Sequence, residues 1–339
     1  MSLTKIGKTR WGGAFYGLNH SYDSIISVEN LLEAWKEFVR WKRGKKDVQE
    51  FQLSLMDNIL SLHADLSDRN YCHGGYHPFN ISDPKPRNIH KATVRDRLLH
   101  HAVYRILYPY FDKRFIHDSY SCRLNKGTHR ALNRFMDFGN RVSRNYTKQC
   151  WVLKCDVRKF FASVNHEILL QILAKYIQDK DTAGLLKIII TSFHSTGPGK
   201  GLPLGNLTSQ LLVNIYMNEF DQFMKHKLKA KHYIRYADDF VILSSDKDCL
   251  CTVYQYIVHF LGNKLKLELH PDKVFIKTYA SGVDFLGWVH FPDHRVLRTV
   301  TKRRMFKNLS KNFSEESRAS YLGLLKHGNT QKLRKKILN

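Results

Sequence analysis

Cysteine is sparse and scattered in this 339-residue chain, with Cys72, Cys122, Cys150, Cys155, Cys249 and Cys251 forming no Cys-x-x-Cys pair. That spacing speaks against both a disulfide framework and a zinc site, even with His73 and His77 near Cys72. Free thiols in a reducing cytoplasm are the expectation. Long apolar runs are missing as well: stretches such as Ile188–Ile190 and Phe240–Leu243 fall far short of the roughly 20 residues a membrane helix needs. The first residues, Met1-Ser2-Leu3-Thr4-Lys5, carry no apolar h-region, so neither a secretory signal nor a membrane partner is expected. Acid is in short supply: 30 Asp+Glu face 55 Lys+Arg, a net charge of +25 before any of the 18 His is counted. Such an excess suits a polyanionic partner better than a small neutral metabolite. The 43% hydrophobic content rules out a disordered basic tail, which would lack the apolar mass to fold.

What is present is patterned. Residues 1–26 are rich in Gly, aromatic and polar residues and read as an irregular lead-in. From Val28, the positions Leu31, Leu32, Trp35, Phe38 and Val39 share one helical face, and Phe51, Leu55, Ile59 and Leu62 repeat the habit beyond a basic connector at 41–46. Gly74-Gly75 and three prolines between Tyr71 and Ile89 predict short strands and turns, and helical periodicity resumes over Arg97–Tyr110. In the middle of the chain, Trp151–Asp156 reads as a buried strand ending on an acid. A Gly/Pro-rich loop (197–205) and a long helix from Ser209 follow. The segments 232–236 and 240–243 then read as two strands joined tightly across Asp238-Asp239. The last 49 residues hold 13 Lys+Arg against 3 acids and read as basic helices. The whole predicts an α+β fold.

The adjacent acids Asp238 and Asp239 between apolar strands are the most informative feature. If the strand ending at Asp156 lies beside that hairpin, three carboxylates converge with little conformational freedom. Such a cluster is costly unless something positive neutralises it. In a chain this basic Mg²⁺ is the natural occupant, and two such ions could serve an in-line phosphoryl transfer. Asp is also a favoured turn residue, so the pair alone equally fits an ordinary solvated turn.

Taken with its surroundings, the pattern resembles a reverse transcriptase. Tyr236-Ala237-Asp238-Asp239 matches the family's Tyr-x-Asp-Asp hairpin, and Lys154-Cys155-Asp156 with Val157 to Phe161 resembles the strand bearing the first metal-binding acid. Gly201-Leu202-Pro203-Leu204-Gly205-Asn206-Leu207-Thr208-Ser209-Gln210 is similar to the nucleotide-pocket loop. Leu269-His270-Pro271-Asp272-Lys273 resembles the lysine-bearing segment, and Phe285-Leu286-Gly287-Trp288 the primer-grip hairpin. Upstream, Lys85-Pro86-Arg87-Asn88-Ile89 and 119–129 resemble the fingers of prokaryotic retroelement enzymes. Leu204 before Gly205, with Ser209-Gln210 closing the loop, is similar to the diversity-generating retroelement subfamily. Those enzymes copy a template-repeat RNA error-prone, mainly at adenines, with an accessory protein.

The resemblance implies a right-hand polymerase fold: an N-terminal helical extension (1–70), fingers (71–150), a palm with an antiparallel sheet (151–288) and a basic helical thumb (289–339). It implies RNA-directed DNA synthesis with two Mg²⁺ ions held by Asp156, Asp238 and Asp239, with deoxynucleoside triphosphates as substrates and template RNA and a primer strand as partners. Lys85 and Arg87 would clamp the incoming triphosphate, with Arg95 and Arg97 as the next choices. Phe161 would crowd a ribose 2′-OH, Leu204, Gly205 and Gln210 would line the nucleotide pocket, and Lys273 would protonate pyrophosphate. A core aromatic is the alternative for Phe161, and Leu204 could equally pack its loop. A retron-type or defence-associated enzyme, a group II intron enzyme, and a catalytically silent RNA-binding scaffold are the rival readings.

Overall fold

The computed structural model describes residues 22–82, 86–195, 197–311 and 314–338. Four helices come first: α1 (Tyr22–Ile26), α2 (Val28–Phe38), α3 (Lys46–Leu53) and α4 (Leu55–Ser67). A hairpin of β1 (Tyr76–Ile81) and β2 (Arg87–Ala92) leads into α5 (Val94–Asp112) and α6 (Thr128–Val142). The centre holds β3 (Trp151–Asp156), α7 (Phe160–Ser163), α8 (His166–Ala174), α9 (Lys180–Thr191), α10 (Leu207–Gln222), β4 (Tyr233–Tyr236), β5 (Asp239–Ser244), α11 (Lys247–Leu265) and β6 (Phe275–Thr278). A small sheet, β7 (Val283–Phe285), β8 (Trp288–His290) and β9 (Arg295–Leu297), precedes α12 (Thr299–Lys311), α13 (Glu315–Leu325) and α14 (Gln331–Leu338). The α+β expectation is met.

The N-terminal helices are built into the main body. Ser27 starts α2 by accepting a hydrogen bond from the Asn30 amide at 3.2 Å, supplying one of the helix's unpaired donors with a partner. Leu31, Ala34 and Phe38 then bury completely in a core that runs on through α5 and α10. Each such large apolar side chain contributes roughly 1.5–3 kcal/mol. Two expectations change here. Tyr22–Ile26 is a helix rather than irregular, because Tyr22, Ile25 and Ile26 are all buried, while the rest of that lead-in lies outside the described residues. The single helix read through Phe51 and Leu62 breaks at Ser54, whose φ of −118° and ψ of 45° are not helical.

The central sheet is antiparallel, in the order β4-β5-β3-β6. Both its faces are covered, and the two-residue period of a strand sorts side chains between them. Leu153, Cys155, Phe240 and Ile242 join the core shared with α10 and α11. Val152, Val241 and Leu243 join a second core that contains Phe135 of α6, Trp288 and Met305. Within α12 and α14, Met305, Leu309 and Ile337 face this second core, while Lys302, Arg303, Lys307, Lys335 and Lys336 are exposed. The tail, read from sequence as basic helices, is thus helical, with its charge outside and its apolar side chains inside. Among the described residues, no helix is long and apolar enough to cross a membrane.

Candidate active site

Strand pairing brings the three acids together at one end of the central sheet. Asp156, the last residue of β3, stands directly opposite Asp239, the first of β5. Tyr236 pairs with Asp239, so the two turn residues are Ala237 and Asp238, one place earlier than the sequence predicts. Ala237 adopts a φ of 56°, the positive sign that primed two-residue hairpin turns need at their first central residue. The Asp238 carbonyl accepts a hydrogen bond from the Val157 amide at 3.1 Å, and the Asp156 carbonyl accepts one from His270 at 2.7 Å. The acid end of the sheet is thus pinned from both sides.

The electrostatics follow from that convergence. Burial pushes the Asp239 carboxyl up to about 7; Lys154 opposes the rise, and Asp156 and Asp238 add to it. The Asp238 carboxyl is raised by burial first and by Asp156 second, with Lys273 and Arg87 pulling the other way. Lys273 Nζ donates to Asp156 Oδ1 at 2.7 Å, and Lys154 Nζ lies 3.5 Å from Asp239 Oδ2. Asp239 Oδ1 is buried without a hydrogen-bond partner. A buried carboxylate oxygen with a free lone pair, next to two further acids, suits a hard divalent cation. As the side chains lie, no group of three His, Cys, Asp or Glu among the described residues encloses a metal position.

The loop at 201–205 packs against the β1–β2 hairpin. The Leu204 carbonyl accepts a hydrogen bond from the His90 amide at 3.1 Å. Gly205 has a φ of +108°, and a Cβ there would stand 2.8 Å from Ile89 Cγ2, so glycine is required twice over. Phe161, half-buried on α7, packs edge-to-face on Phe160 with centroids 5.7 Å apart, and its carbonyl accepts from the Leu202 amide at 2.8 Å. Gln210 is half-buried on α10, and its carbonyl takes a 3.3 Å hydrogen bond from Asn214. Arg87 is exposed on β2, within electrostatic reach of Asp238. Lys85 lies outside the described residues.

Arg95 and Arg97 are committed elsewhere. Arg95 pairs with Asp65 of α4, and Arg97 pairs with Asp47 of α3 while its guanidinium sits 5.1 Å from the Phe38 ring centroid. They clamp the N-terminal helices onto α5 and do not reach the acids as free cations. In the β7–β8 hairpin, Leu286 (φ 51°) and Gly287 (φ 85°) form the tip, as a I′ turn requires, while Phe285 and Trp288 are buried beneath it. The tip itself is half-buried, with Leu286 packed against the second core.

Two parts of the site escape the sequence reading. Lys154 sits two residues before Asp156, and on a strand that spacing alone places both on one face. Arg235 is fully buried against Asp221, also fully buried. The signal was available, since a charged residue inside the apolar run Tyr233-Ile234-Arg235-Tyr236 is out of place unless paired.

Comparisons with known proteins agree with this geometry. The reverse transcriptase (RNA-dependent DNA polymerase) family model matches residues 82–290, more than half of the chain. Protein YkfC of Escherichia coli K12 is 27% identical over 258 residues, covering 64% of this chain and 65% of YkfC. The group II intron-encoded protein LtrA of Lactococcus lactis subsp. cremoris is 24% identical over 293 residues, covering 66% of this chain and 47% of LtrA. Apo telomerase from Candida tropicalis superimposes with a TM-score of 0.51 at 12% identity, covering 64% of this chain and 47% of the telomerase chain. That last likeness is one of fold, the right-hand polymerase architecture. The match spans less than two thirds of the length of each of these proteins. With a central antiparallel sheet that ends in three converging acids, and a family match that runs across all of them, this chain belongs to the reverse transcriptase family.

Proposed function

We propose that the protein is an RNA-directed DNA polymerase that extends a primer with deoxynucleoside triphosphates along an RNA template. The observation that carries the reading is the convergence of Asp156, Asp238 and Asp239 at one sheet end, beside a Gly-containing loop pinned under the β1–β2 hairpin. Residues 71–150 then act as fingers, 151–288 as palm and 289–339 as thumb, with the exposed basic faces of α12 and α14 riding on the nucleic-acid backbone. Asp156 and Asp238 would be the principal holders of Mg²⁺, with Asp239 beside them, and the metal they hold would supply Lewis-acid activation of the attacking hydroxyl and charge neutralisation at the leaving pyrophosphate. The primer 3′-oxygen bonds to the α-phosphorus, the bond to the pyrophosphate oxygen breaks, and the hydroxyl proton passes to solvent water. On this reading Lys273 supplies a proton to the leaving group, Arg87 and Lys85 grip the triphosphate, and Phe161 stands against a ribose 2′-OH.

Within this class, an error-prone enzyme of the diversity-generating type, working with an accessory protein, is the reading we favour. An apolar Leu204 at the pocket loop gives the incoming base no side-chain hydrogen bond, and discrimination by apolar contact alone is weak. Similarity to LtrA keeps a group II intron-type enzyme as the second reading.

Primer extension on a defined RNA template with Mg²⁺, beside an Asp238→Ala/Asp239→Ala control, tests the proposal. Extension that vanishes in the control, with errors concentrated at template adenines and reduced by Leu204→Gln, is the expected result. Accurate copying would overturn the subtype. Equal extension by wild type and control would overturn the assignment of the acids. Salt-sensitive RNA binding without any synthesis, even with the native template and accessory protein supplied, would leave a scaffold role.

A further inference from the structure

Beneath the hairpin that carries Asp238 lies a buried polar network made by none of the residues that would face substrate. Arg235 Nε donates to Asp221 Oδ1 at 2.8 Å and Nη2 donates to Oδ2 at 2.6 Å, a two-pronged pair with both side chains fully buried. The guanidinium has donors left over, and they are used. Nη1 donates to the carbonyl of Ala237 at 3.0 Å and to Asn214 Oδ1 at 3.3 Å, while Nη2 also reaches Ser119 Oγ at 3.1 Å. Tyr233 donates its hydroxyl to Asp221 Oδ1 at 2.7 Å. The Arg235 backbone is bound as well, its amide donating to the Asp118 carbonyl and its carbonyl accepting from the Tyr120 amide, each at 3.0 Å.

Burying an ion pair is a poor way to gain stability, because desolvation consumes most of the attraction. What a guanidinium provides is geometry: a rigid planar fork whose directions are fixed together. Here one branch grips Asp221 on α10 and another grips Ala237, the turn residue with left-handed φ immediately before Asp238. Asn214, on the same helix, donates to the Gln210 carbonyl at 3.3 Å and to the Ser121 carbonyl at 3.0 Å. Helix α10 follows directly on the Leu204–Gly205 loop.

We infer that Arg235, held by Asp221, is a positioning residue for nucleotidyl transfer: it sets the Asp238 turn through the Ala237 carbonyl and fixes that turn in register with the helix that carries the nucleotide pocket. The inference rests on Asp238 being a metal-holding acid, as proposed above.

Two variants test it. Arg235→Lys keeps the buried charge but has one ammonium where three directions are needed. Asp221→Leu/Tyr233→Phe/Arg235→Met removes the charges together, a replacement that buried ion pairs often tolerate without loss of stability. In each, single-turnover incorporation should fall at least 10-fold, and about 100-fold for a displacement of ~1 Å. Mn²⁺ affinity, read by electron paramagnetic resonance without any turnover, should weaken in parallel, while primer–template affinity and its salt dependence stay at wild-type values. Wild-type rate and Mn²⁺ affinity in either folded variant would overturn the inference, as would equal losses in nucleic-acid binding or failure of both variants to fold. An unsubstituted chain that binds Mn²⁺ yet incorporates nothing would count against the polymerase reading, and the Mn²⁺ measurement would still judge Arg235.

Discussion

Gly205→Ala is the substitution whose outcome the structure determines most completely. Two independent costs meet there. A φ of +108° lies outside the left-handed well that Asn or Asp can use, and holding an alanine there costs about 1–3 kcal/mol. The new methyl would also stand 2.8 Å from Ile89 Cγ2, an overlap of the kind that costs about 1–3 kcal/mol when neighbours must shift. Ile89 lies on β2, and Leu204 is tied to the next residue of that strand, His90, by a main-chain hydrogen bond, so the loop cannot retreat without breaking a link to the hairpin. The expected result is a lowered urea midpoint together with a raised KM for nucleotide and little change in affinity for primer–template. Adding Ile89→Ala removes the clash but leaves the backbone cost, so the double variant should recover part of the lost stability and no more. A Gly205→Ala protein with unchanged midpoint and KM, or a double variant with no recovery, would refute the argument.

Three further outcomes follow from the packing. Burial holds His100 and His290 down to about 3 and His101 down to about 4, so an unfolded chain binds protons that the folded one refuses as pH falls below about 6.5. Stability should then drop by up to about 1.4 kcal/mol per pH unit for each. The raised Asp238 and Asp239 act in the opposite direction, so the urea midpoint is best compared at pH 7 and pH 5 in an Asp238→Asn/Asp239→Asn background; a flat midpoint would sink the reasoning. Gly328→Ala would drive a methyl into the ring of Trp288 and to 2.8 Å from the Arg295 carbonyl, and should lower the melting temperature by several degrees; an unchanged melt would show that the α13–α14 turn has room. Asp47→Ala strips the partner from both Lys91 and Arg97, and should raise proteolytic nicking of α3 while costing about 1–2 kcal/mol of global stability; a protease pattern like wild type would contradict the clamp.

The parts of this fold that were legible in sequence are those where local chemistry and tertiary role coincide. Trp151–Asp156 and Phe240–Leu243 are apolar because both faces of the sheet are covered, and their ends are acidic because the site lies there. The turn position was off by one because Asp is as acceptable in a turn as at the head of a strand, and only pairing with Tyr236 and Asp156 decides between them. Helix α6 and strand β9 were not assigned. The five buried positions of α6, Ala131, Leu132, Phe135, Phe138 and Gly139, are interleaved with Arg and Asn, and β9 is three residues long with a buried arginine at its start. Arg95 and Arg97 looked like free cations because their acids lie 30 and 50 residues away in the chain. Charge partners at that separation are set by topology, which no local pattern carries.

The central sheet has a consequence for how strain would travel through this molecule. Neighbouring residues on one strand, such as Val241 and Ile242 of β5 or Val152 and Leu153 of β3, belong to different hydrophobic compartments. The sheet is therefore a common partition. Pressure on the basic helices α12–α14 reaches it through Val152, Val241 and Leu243, and rearrangement around α10 reaches it through Leu153, Cys155, Phe240 and Ile242. Close-packed side chains pass such displacements on rather than absorbing them. The three acids stand at the end of that partition, on strands whose side chains belong to both compartments.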